Sequence, residues 1–365
     1  MTMTAKKRAK KKRPGFFGVT ARIVMMVFAA LLFLSYLSVV VNPASVWFFS
    51  IFGILFPALI LINFFLLVWA IFRRSSSFWI PLLILLPAFF VIDRYWAFHT
   101  PSEEEPELRM ISYNVGRFEI ERGEGELSKE DRRDFIFSKL RAEDADVICL
   151  QEFRVEAYED VKAVCKRYFP RYECAYYAFP DAHSKVGNVT LSRYPILSKS
   201  FQTFEGSTNL ILYTDVRLKQ KNIRIYNCHL QSYSISLPGL IKTVDEGEEY
   251  LRTTGAKMRN SILRRPRQVD EILKNIQKCP LESLVCGDFN DTPMSHTYFA
   301  LQRGHKDSFA EAGNGFGASY YYFWPLLRID YLLYGESLRA IAHKSPHWIY
   351  SDHYPVIVDF VWNKK

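Results

Sequence analysis

The chain reads as an α/β domain preceded by a strongly apolar N-terminal segment. Short apolar runs ending in polar residues alternate with charged, helix-like stretches after residue 107, and three long apolar stretches fill residues 19–98. The runs are Ile111-Ser112-Tyr113-Asn114, Ile148-Cys149-Leu150-Gln151-Glu152, Tyr226-Asn227-Cys228-His229-Leu230, Val285-Cys286-Gly287-Asp288-Phe289-Asn290, Arg328-Ile329-Asp330-Tyr331 and Ser351-Asp352-His353-Tyr354-Pro355. Each is short, rich in β-formers and flanked by breakers, the pattern of a buried strand. A strand that ends in Asn, Glu, His or Asp delivers that side chain to the rim of a sheet. Such ends on one rim make a site rich in carboxylates, suited to a hard divalent cation and a phosphate ester. Between the runs, Asp131–Leu140, Ala157–Arg167 and Arg267–Ile276 read as helices.

The N-terminal third reads as membrane-spanning. Ile23–Val41 is nearly free of charge and long enough to cross a bilayer. Asn42-Pro43 makes a turn, Val46–Phe72 is longer still, and Arg73-Arg74 with three serines breaks it. Phe78–Ile92 is shorter, with Trp79, Tyr95 and Trp96 as interfacial anchors. No polar face is left to meet water, which argues against a soluble helical core. The lysines and arginines of Lys6–Arg13 and Arg73-Arg74 set the orientation. They place both clusters in the cytoplasm and, with three crossings, everything after residue 99 outside it. The expectation is a multi-pass protein of a bacterial inner or cell membrane, with its large domain periplasmic or extracellular and the bilayer as a partner.

Charge and cysteines narrow the chemistry. Residues 1–94 hold eleven Lys and Arg, seven of them within Lys6–Arg13, against one acid, Asp93, so the rest of the chain carries −1 of the total +9. A near-neutral domain gives no bulk electrostatic support for nucleic-acid binding. The six cysteines include no C-x-x-C pair, so a thiolate zinc site is not expected. Cys149, Cys228 and Cys286 sit in apolar runs as small hydrophobes, whereas Cys165, Cys174 and Cys279 are free to pair in an oxidising compartment.

The polar islands, in this order, resemble the endonuclease/exonuclease/phosphatase superfamily, the group of deoxyribonuclease I, exonuclease III-type repair nucleases, bacterial sphingomyelinases and inositol polyphosphate 5-phosphatases. Gln151-Glu152, Gly187 to Ile196, Gly287-Asp288-Phe289-Asn290 and Ser351-Asp352-His353 carry the resemblance. It implies a four-layer fold, a two-sheet β-sandwich flanked by helices, for residues 107–365. Residues 1–18 are then a basic cytoplasmic tail, 19–98 a membrane region of about three transmembrane helices, and 99–106 a linker that reaches only about 25 Å when extended.

The resemblance also assigns roles. Glu152 is the main ligand of a Mg²⁺ ion, with Mn²⁺ as the alternative, supported by Asn114 and Asp352. Asp288 positions and deprotonates the attacking water, and Asn290 holds the phosphate or that water. His353, oriented by Asp330, stabilises charge building on phosphorus. His229 contacts the phosphate or protonates the leaving oxygen. Arg328, Tyr226 and Asn227 are candidate phosphate contacts, Arg328 equally a brace for a carboxylate.

The substrate is less legible. Leu251–Gln268 carries Arg252, Lys257, Arg259, Arg264, Arg265 and Arg267 with no acid. It reads as a polyanion or lipid-headgroup contact, or as a solvated loop leading into a helix. Tyr320–Pro325 is aromatic and suits base stacking, a membrane interface or a core. The expected activity is hydrolysis of phosphodiester bonds, first as a nuclease. A phospholipid phosphodiesterase or a phosphomonoesterase is the alternative, and a non-catalytic membrane-anchored binding protein the remote one. Nothing in the sequence singles out a protein partner.

Overall fold

The computed structural model describes residues 16–100, 102–120, 127–219, 221–233 and 248–363; the basic run Lys6–Arg13 lies outside them. Two long helices open the described chain, α1 (Phe16–Val40) and α2 (Phe49–Phe72). Both are long and apolar enough to cross a bilayer, and large side chains such as Phe33, Phe65, Ile71 and Phe72 point outward. The third apolar stretch is not one continuous helix. It folds as α3 (Trp79–Leu85), a 3₁₀ turn at Leu86–Phe90 and another at Ile92–Arg94. Pro87 is the physical reason, since it removes a backbone donor that a continuous helix needs; Pro81, in the first turn of α3, costs no such bond. At about 1.5 Å per α and 2 Å per 3₁₀ residue, Trp79–Phe90 rises roughly 20 Å, and the whole stretch runs back along the pair, from Ser77 beside Arg22 of α1 to Tyr95 beside Phe56 of α2. This stretch leans on α1, where the Tyr36 hydroxyl donates to the Ile84 carbonyl at 2.8 Å. It brings Tyr95 against Phe56 of α2, with ring centres 5.5 Å apart.

The remainder forms two six-stranded sheets. One contains β2 (Leu108–Asn114), β3 (Val147–Glu156), β4 (Glu173–Pro180), β5 (Ser184–Ser192), β13 (Leu338–Lys344) and β14 (Val356–Trp362), in the order β13-β14-β2-β3-β5-β4. The other contains β6 (Ile196–Thr203), β7 (Leu210–Arg217), β8 (Asn222–His229), β9 (Glu282–Asp288), β10 (Lys306–Asp307) and β12 (Asp330–Tyr334), in the order β10-β12-β9-β8-β7-β6. Each sheet has one parallel pair, β2 with β3 and β8 with β9. Central strands are buried on both faces, which is why they read as unbroken apolar runs. Met110, Cys149, Ile225 and Cys286 fill the layer between the sheets. Ile111, Ile148 and Leu150 turn outward onto α4 (Lys129–Ala142) and α5 (Val161–Tyr168). Tyr226, Cys228 and Val285 turn outward onto α6 (Glu248–Lys278) and α7 (His296–Gln302). The result is the four-layer sandwich that the resemblance implies.

Two of the three expected helices shift at their starts. α5 begins at Val161, because Asp160 accepts from the Ala163 amide at 2.9 Å and caps it there. α6 begins at Glu248, so Leu251–Gln268 is helical and not a loop. Pro266 reads as a boundary in the sequence, yet it lies inside the helix. Burial of Ile262, Arg265, Gln268 and Val269 on either side of it offsets the one lost hydrogen bond. The expected linker is held along the sandwich: β1 (Trp96–Phe98) pairs with β11 (Asn314–Phe316), and the His99 and Ser102 amides donate to Gly313 and Ile341.

The helix pair docks on the loop that follows β9. Pro57 has no N–H to offer the Gly53 carbonyl one turn earlier. That carbonyl instead accepts from the Thr292 hydroxyl at 3.2 Å. Ser38 Oγ of α1 donates to the Met294 carbonyl at 2.6 Å. Gly53 is required by space: a Cβ there would stand 2.3 Å from the Met294 carbonyl oxygen. Gly53→Leu is therefore expected to force the two bodies apart at a cost of about 1–3 kcal/mol. A lowered thermal midpoint of the full chain in detergent checks this, and an unchanged midpoint contradicts it.

Candidate active site

The strand ends β2, β3, β8, β9 and β12 gather at one rim of the sandwich. β3 carries a register irregularity between Leu150 and Phe153, and Glu152 sits within it at φ 50°. A non-glycine residue in that left-handed region costs roughly 1–2 kcal/mol. The kink lets neighbours diverge. Gln151 turns between the sheets, donating to Asn227 Oδ1 at 2.8 Å, while Glu152 turns into the cleft. Asn290 shows the same device at φ 52°.

Asp288 is the centre of the site and is 1% exposed. Its Oδ2 accepts from Asn114 Nδ2 and Asn290 Nδ2, each at 3.0 Å, and its Oδ1 accepts from the Asn290 amide at 2.8 Å. His353 Nε2 lies 3.6 Å from Asp288 Oδ2, and His353 Nδ1 meets Asp330 Oδ2 at 2.8 Å. His229 Nε2 stands 3.5 Å from Glu152 Oε1 and 3.9 Å from Asp288 Oδ2. Asp352 lines the same cleft. The structure thus brings together Asn114, Glu152, His229, Asp288, Asn290, Asp330, Asp352 and His353.

Their charges are set by burial and by one another. Burial pushes the Asp288 carboxyl up to about 7, a rise that the nearby His353 opposes and Asp330 assists. Burial works against charge on His353 too, but Asp330, Asp288 and Asp352 outweigh it and raise its pKa well above the usual histidine value. His353 is therefore an imidazolium at neutral pH. Burial lowers His229 against the pull of Glu152, leaving it neutral. Burial likewise works against charge on Glu152, yet His229, Arg117 and His353 hold it below the usual carboxylate range.

Three candidate phosphate contacts lie elsewhere. Arg328 is buried in a two-pronged ion pair with Asp307, at 2.6 and 2.5 Å, and braces a carboxylate that is not part of the cleft lining. Tyr226 sends its hydroxyl to Asn275 of α6 at 2.9 Å. Asn227 lies between the sheets and donates to the Val189 and Leu150 carbonyls at 2.9 and 3.2 Å. It ties β8 to β3 and β5 beneath the cleft, so it positions His229 and Glu152 and does not line the site.

Other residues complete the site. Arg117 pairs with Glu152 at 2.9 Å. Ser319 Oγ accepts from the Ile329 and Asp330 amides at 3.0 Å each. Ser351 Oγ donates to the Asn114 carbonyl at 2.7 Å and accepts from the His353 amide at 3.1 Å. Ser351 lies inside a recognised island and Arg117 three residues after Asn114; Ser319 carries no local signal.

Residues 111–353 match the Endonuclease/Exonuclease/phosphatase family. The chain belongs to that family. Residues 18–95 separately match a domain family of unknown function. No curated protein matches the chain. Among solved structures, the endonuclease/exonuclease/phosphatase from Beutenbergia cavernae is 17% identical with a TM-score of 0.50, covering 70% of this chain and 71% of that one. The human Nocturnin catalytic domain with bound sulfate is 16% identical with a TM-score of 0.51, covering 73% and 98%. A humanized D. rerio TDP2 is 17% identical with a TM-score of 0.50, covering 70% and 98%. These likenesses show the shared fold. As a member of the family, the chain is a hydrolase of phosphate ester bonds, and such enzymes use divalent metal ions.

Two predictions follow the geometry. Asp288 has its proton bound more tightly in the folded protein (about 7) than in the unfolded chain (about 4). The folded state then holds the extra proton between those values, so stability of the metal-free protein falls as pH rises from about 4 to 7. Thermal midpoints across pH should show that slope, and Asp288→Asn should flatten it. Arg328→Met should cost about 3–5 kcal/mol by leaving Asp307 buried and unpaired. A denaturation curve with no loss of stability contradicts the bracing role.

Proposed function

We propose that this protein is a membrane-held, Mg²⁺-dependent phosphoesterase that cleaves a phosphate ester by in-line attack of water at the Asp288–His353 centre. The observation that carries the reading is the setting of Asp288: it is buried, its carboxylate is fixed by Asn114 and Asn290, and it stands 3.6 Å from His353 Nε2. A carboxylate held in this way is placed to act as a general base. Asp288 takes one proton from water as the water oxygen bonds to phosphorus and one ester P–O bond breaks. His353, held by Asp330, lies against the developing phosphoryl charge and carries a proton for the departing oxygen. Neutral His229 donates a hydrogen bond into the same space. Asn114 and Asn290 fix the plane of the Asp288 carboxylate.

The donor set fits a hard divalent cation. Glu152, Asp352 and Asn114 offer oxygen atoms beside Asp288, Asp330 and His353, whose ligand atoms fall within 4.8 Å of one another. His353 Nδ1 is already committed to Asp330, so the oxygen ligands, Glu152 first, are the better holders. What such an ion supplies when bound is neutralisation of the phosphoryl oxygens.

The docking supports the membrane reading. The sandwich sits on the end of the helix pair marked by Ser38 and Gly53, whereas Arg73 and Arg74 lie at the opposite end of α2. With basic residues kept on the cytoplasmic side, the catalytic domain falls outside the cytoplasm.

The test uses the full chain in detergent with bis(p-nitrophenyl) phosphate. Hydrolysis should require a divalent cation, vanish with EDTA and return with Mg²⁺. Asp288→Ala and His353→Ala should each lower kcat by about 10³-fold. Turnover that survives EDTA or Asp288→Ala contradicts the reading. Supercoiled plasmid under the same conditions tests the nuclease expectation, which predicts nicking.

A further inference from the structure

The active-site cleft is closed on one side by a helix that reads as membrane-spanning. The cleft holds about 420 Å³. Glu152, Asp288, Asp352 and His353 supply its polar end. Ile54, Leu55 and Ala58 of α2 share it with Phe323, Leu326 and Leu327. Beyond a base stacked on Phe323, a soluble ester or a nucleic-acid strand has little to gain from those six side chains, because burying apolar surface is favourable chiefly against apolar groups. A hydrocarbon chain gains more.

Three further observations point the same way. First, Leu55 of the apolar wall is itself 46% exposed, and Leu61 and Phe65 further along α2 are exposed too. If α2 spans the bilayer, the wall of the cleft opens towards lipid. Second, the sandwich presents an aromatic rim beside the docked helices. Trp96 stacks on Phe316 with ring centres 5.7 Å apart, Phe316 meets Trp324 at 6.1 Å, and Phe98 is 71% exposed. Tyr95, which packs on Phe56, is the residue before this ribbon. Aromatic residues gather at the level of lipid headgroups. Third, the basic run of α6 lies at the same boundary. Met258 lines the cleft, and the Arg259 guanidinium stands over Trp47 in the α1–α2 connection at 5.9 Å. Arg252, Lys257 and Arg259 are exposed. Arg265 is not; it is spent on Asp291 at 2.6 Å. A basic surface at headgroup level favours anionic lipid.

We infer that the substrate is a membrane lipid bearing a phosphate ester, its phosphate at Asp288 and His353 and its hydrocarbon chain along Ile54, Leu55 and Ala58 of α2 and Phe323–Leu327. This rests on the phosphoesterase reading and names its substrate class. The balance is that of any ester hydrolysis: water oxygen joins phosphorus, one P–O ester bond breaks, one water proton passes to Asp288 and the leaving oxygen gains one. Helix α2 is then a wall of the site as well as an anchor.

The experiment measures kcat/KM of the full chain in phosphatidylcholine vesicles with 10% of a phosphate-ester lipid, against the dihexanoyl form of the same lipid and against bis(p-nitrophenyl) phosphate. The long-chain lipid should exceed its short-chain form by at least about tenfold, because it sits in the bilayer that α2 enters and meets the cleft there at high local concentration, whereas the short-chain form stays largely in water. Ala58→Phe keeps the helix apolar while filling the cleft, and should lower the ratio of long-chain to short-chain turnover at least tenfold. Equal turnover of both chain lengths, or plasmid nicking at rates above lipid hydrolysis, overturns the inference while leaving the phosphoesterase reading intact. Failure of bis(p-nitrophenyl) phosphate and both lipids alike removes that reading first, and the inference with it. The wild-type chain-length comparison stands even if Ala58→Phe does not fold.

Discussion

A carboxylate almost without exposure is the constraint around which this site is arranged. An unpaired charge at Asp288 costs several kcal/mol, so it must be matched or neutralised. Two amides, from Asn114 at the end of β2 and Asn290 beyond β9, accept that task, and His353 supplies the opposing charge. These partners come from both sheets. The carboxylate therefore ties the sandwich together at its rim and is strained there, which is the usual trade between stability and activity. Asp330 completes it by holding His353 in its charged form.

The loop from Asp288 to Met294 serves two bodies at once. Its first residues are Asp288 and Asn290; its last are Thr292 and Met294, which receive the helix pair. Tyr331 Oη donates to the Asp291 carbonyl at 2.8 Å, and Arg265 holds the Asp291 side chain, so the loop has little freedom between its ends. A rigid loop of this kind fixes α2 relative to the reacting atoms. The helix pair is then placed to a fraction of a turn, which a flexible tether would not achieve. Trp96–Phe98, paired with β11, and the amides of His99, Ser102 and Glu107, bonded to the sandwich, have the same effect.

Much of this was legible in the sequence, for local reasons. Glu152 and Asp288 follow apolar runs and His353 stands just before one, so each lies near a strand end at the rim. Strand alternation accounts for two misplaced residues. Tyr226 and Cys228 face α6, whereas Asn227 and Ile225 face the other sheet, so neither Tyr226 nor Asn227 reaches the cleft beside His229. Arg328 was ambiguous because its partner, Asp307, is distant in sequence. Pro266 concealed the first half of α6, since tertiary burial overrode a local breaker. The junction of Gly53, Pro57 and Thr292 was not legible at all. A glycine and a proline in an apolar helix look like ordinary irregularities until a second body is seen to fill the gap they leave.

The central claim is that the catalytic rim meets the bilayer through α2. Spin labels placed singly at Phe98, Leu326 and Lys219 of the full chain in vesicles test it most directly, read by collision with oxygen and with a water-soluble nickel chelate. Lys219 lies in the turn before β8, at the end of that strand opposite His229. The account predicts that labels at Phe98 and Leu326 favour oxygen, as in lipid, while Lys219 favours the nickel chelate. All three labels equally open to the nickel chelate would place the rim in water and contradict it.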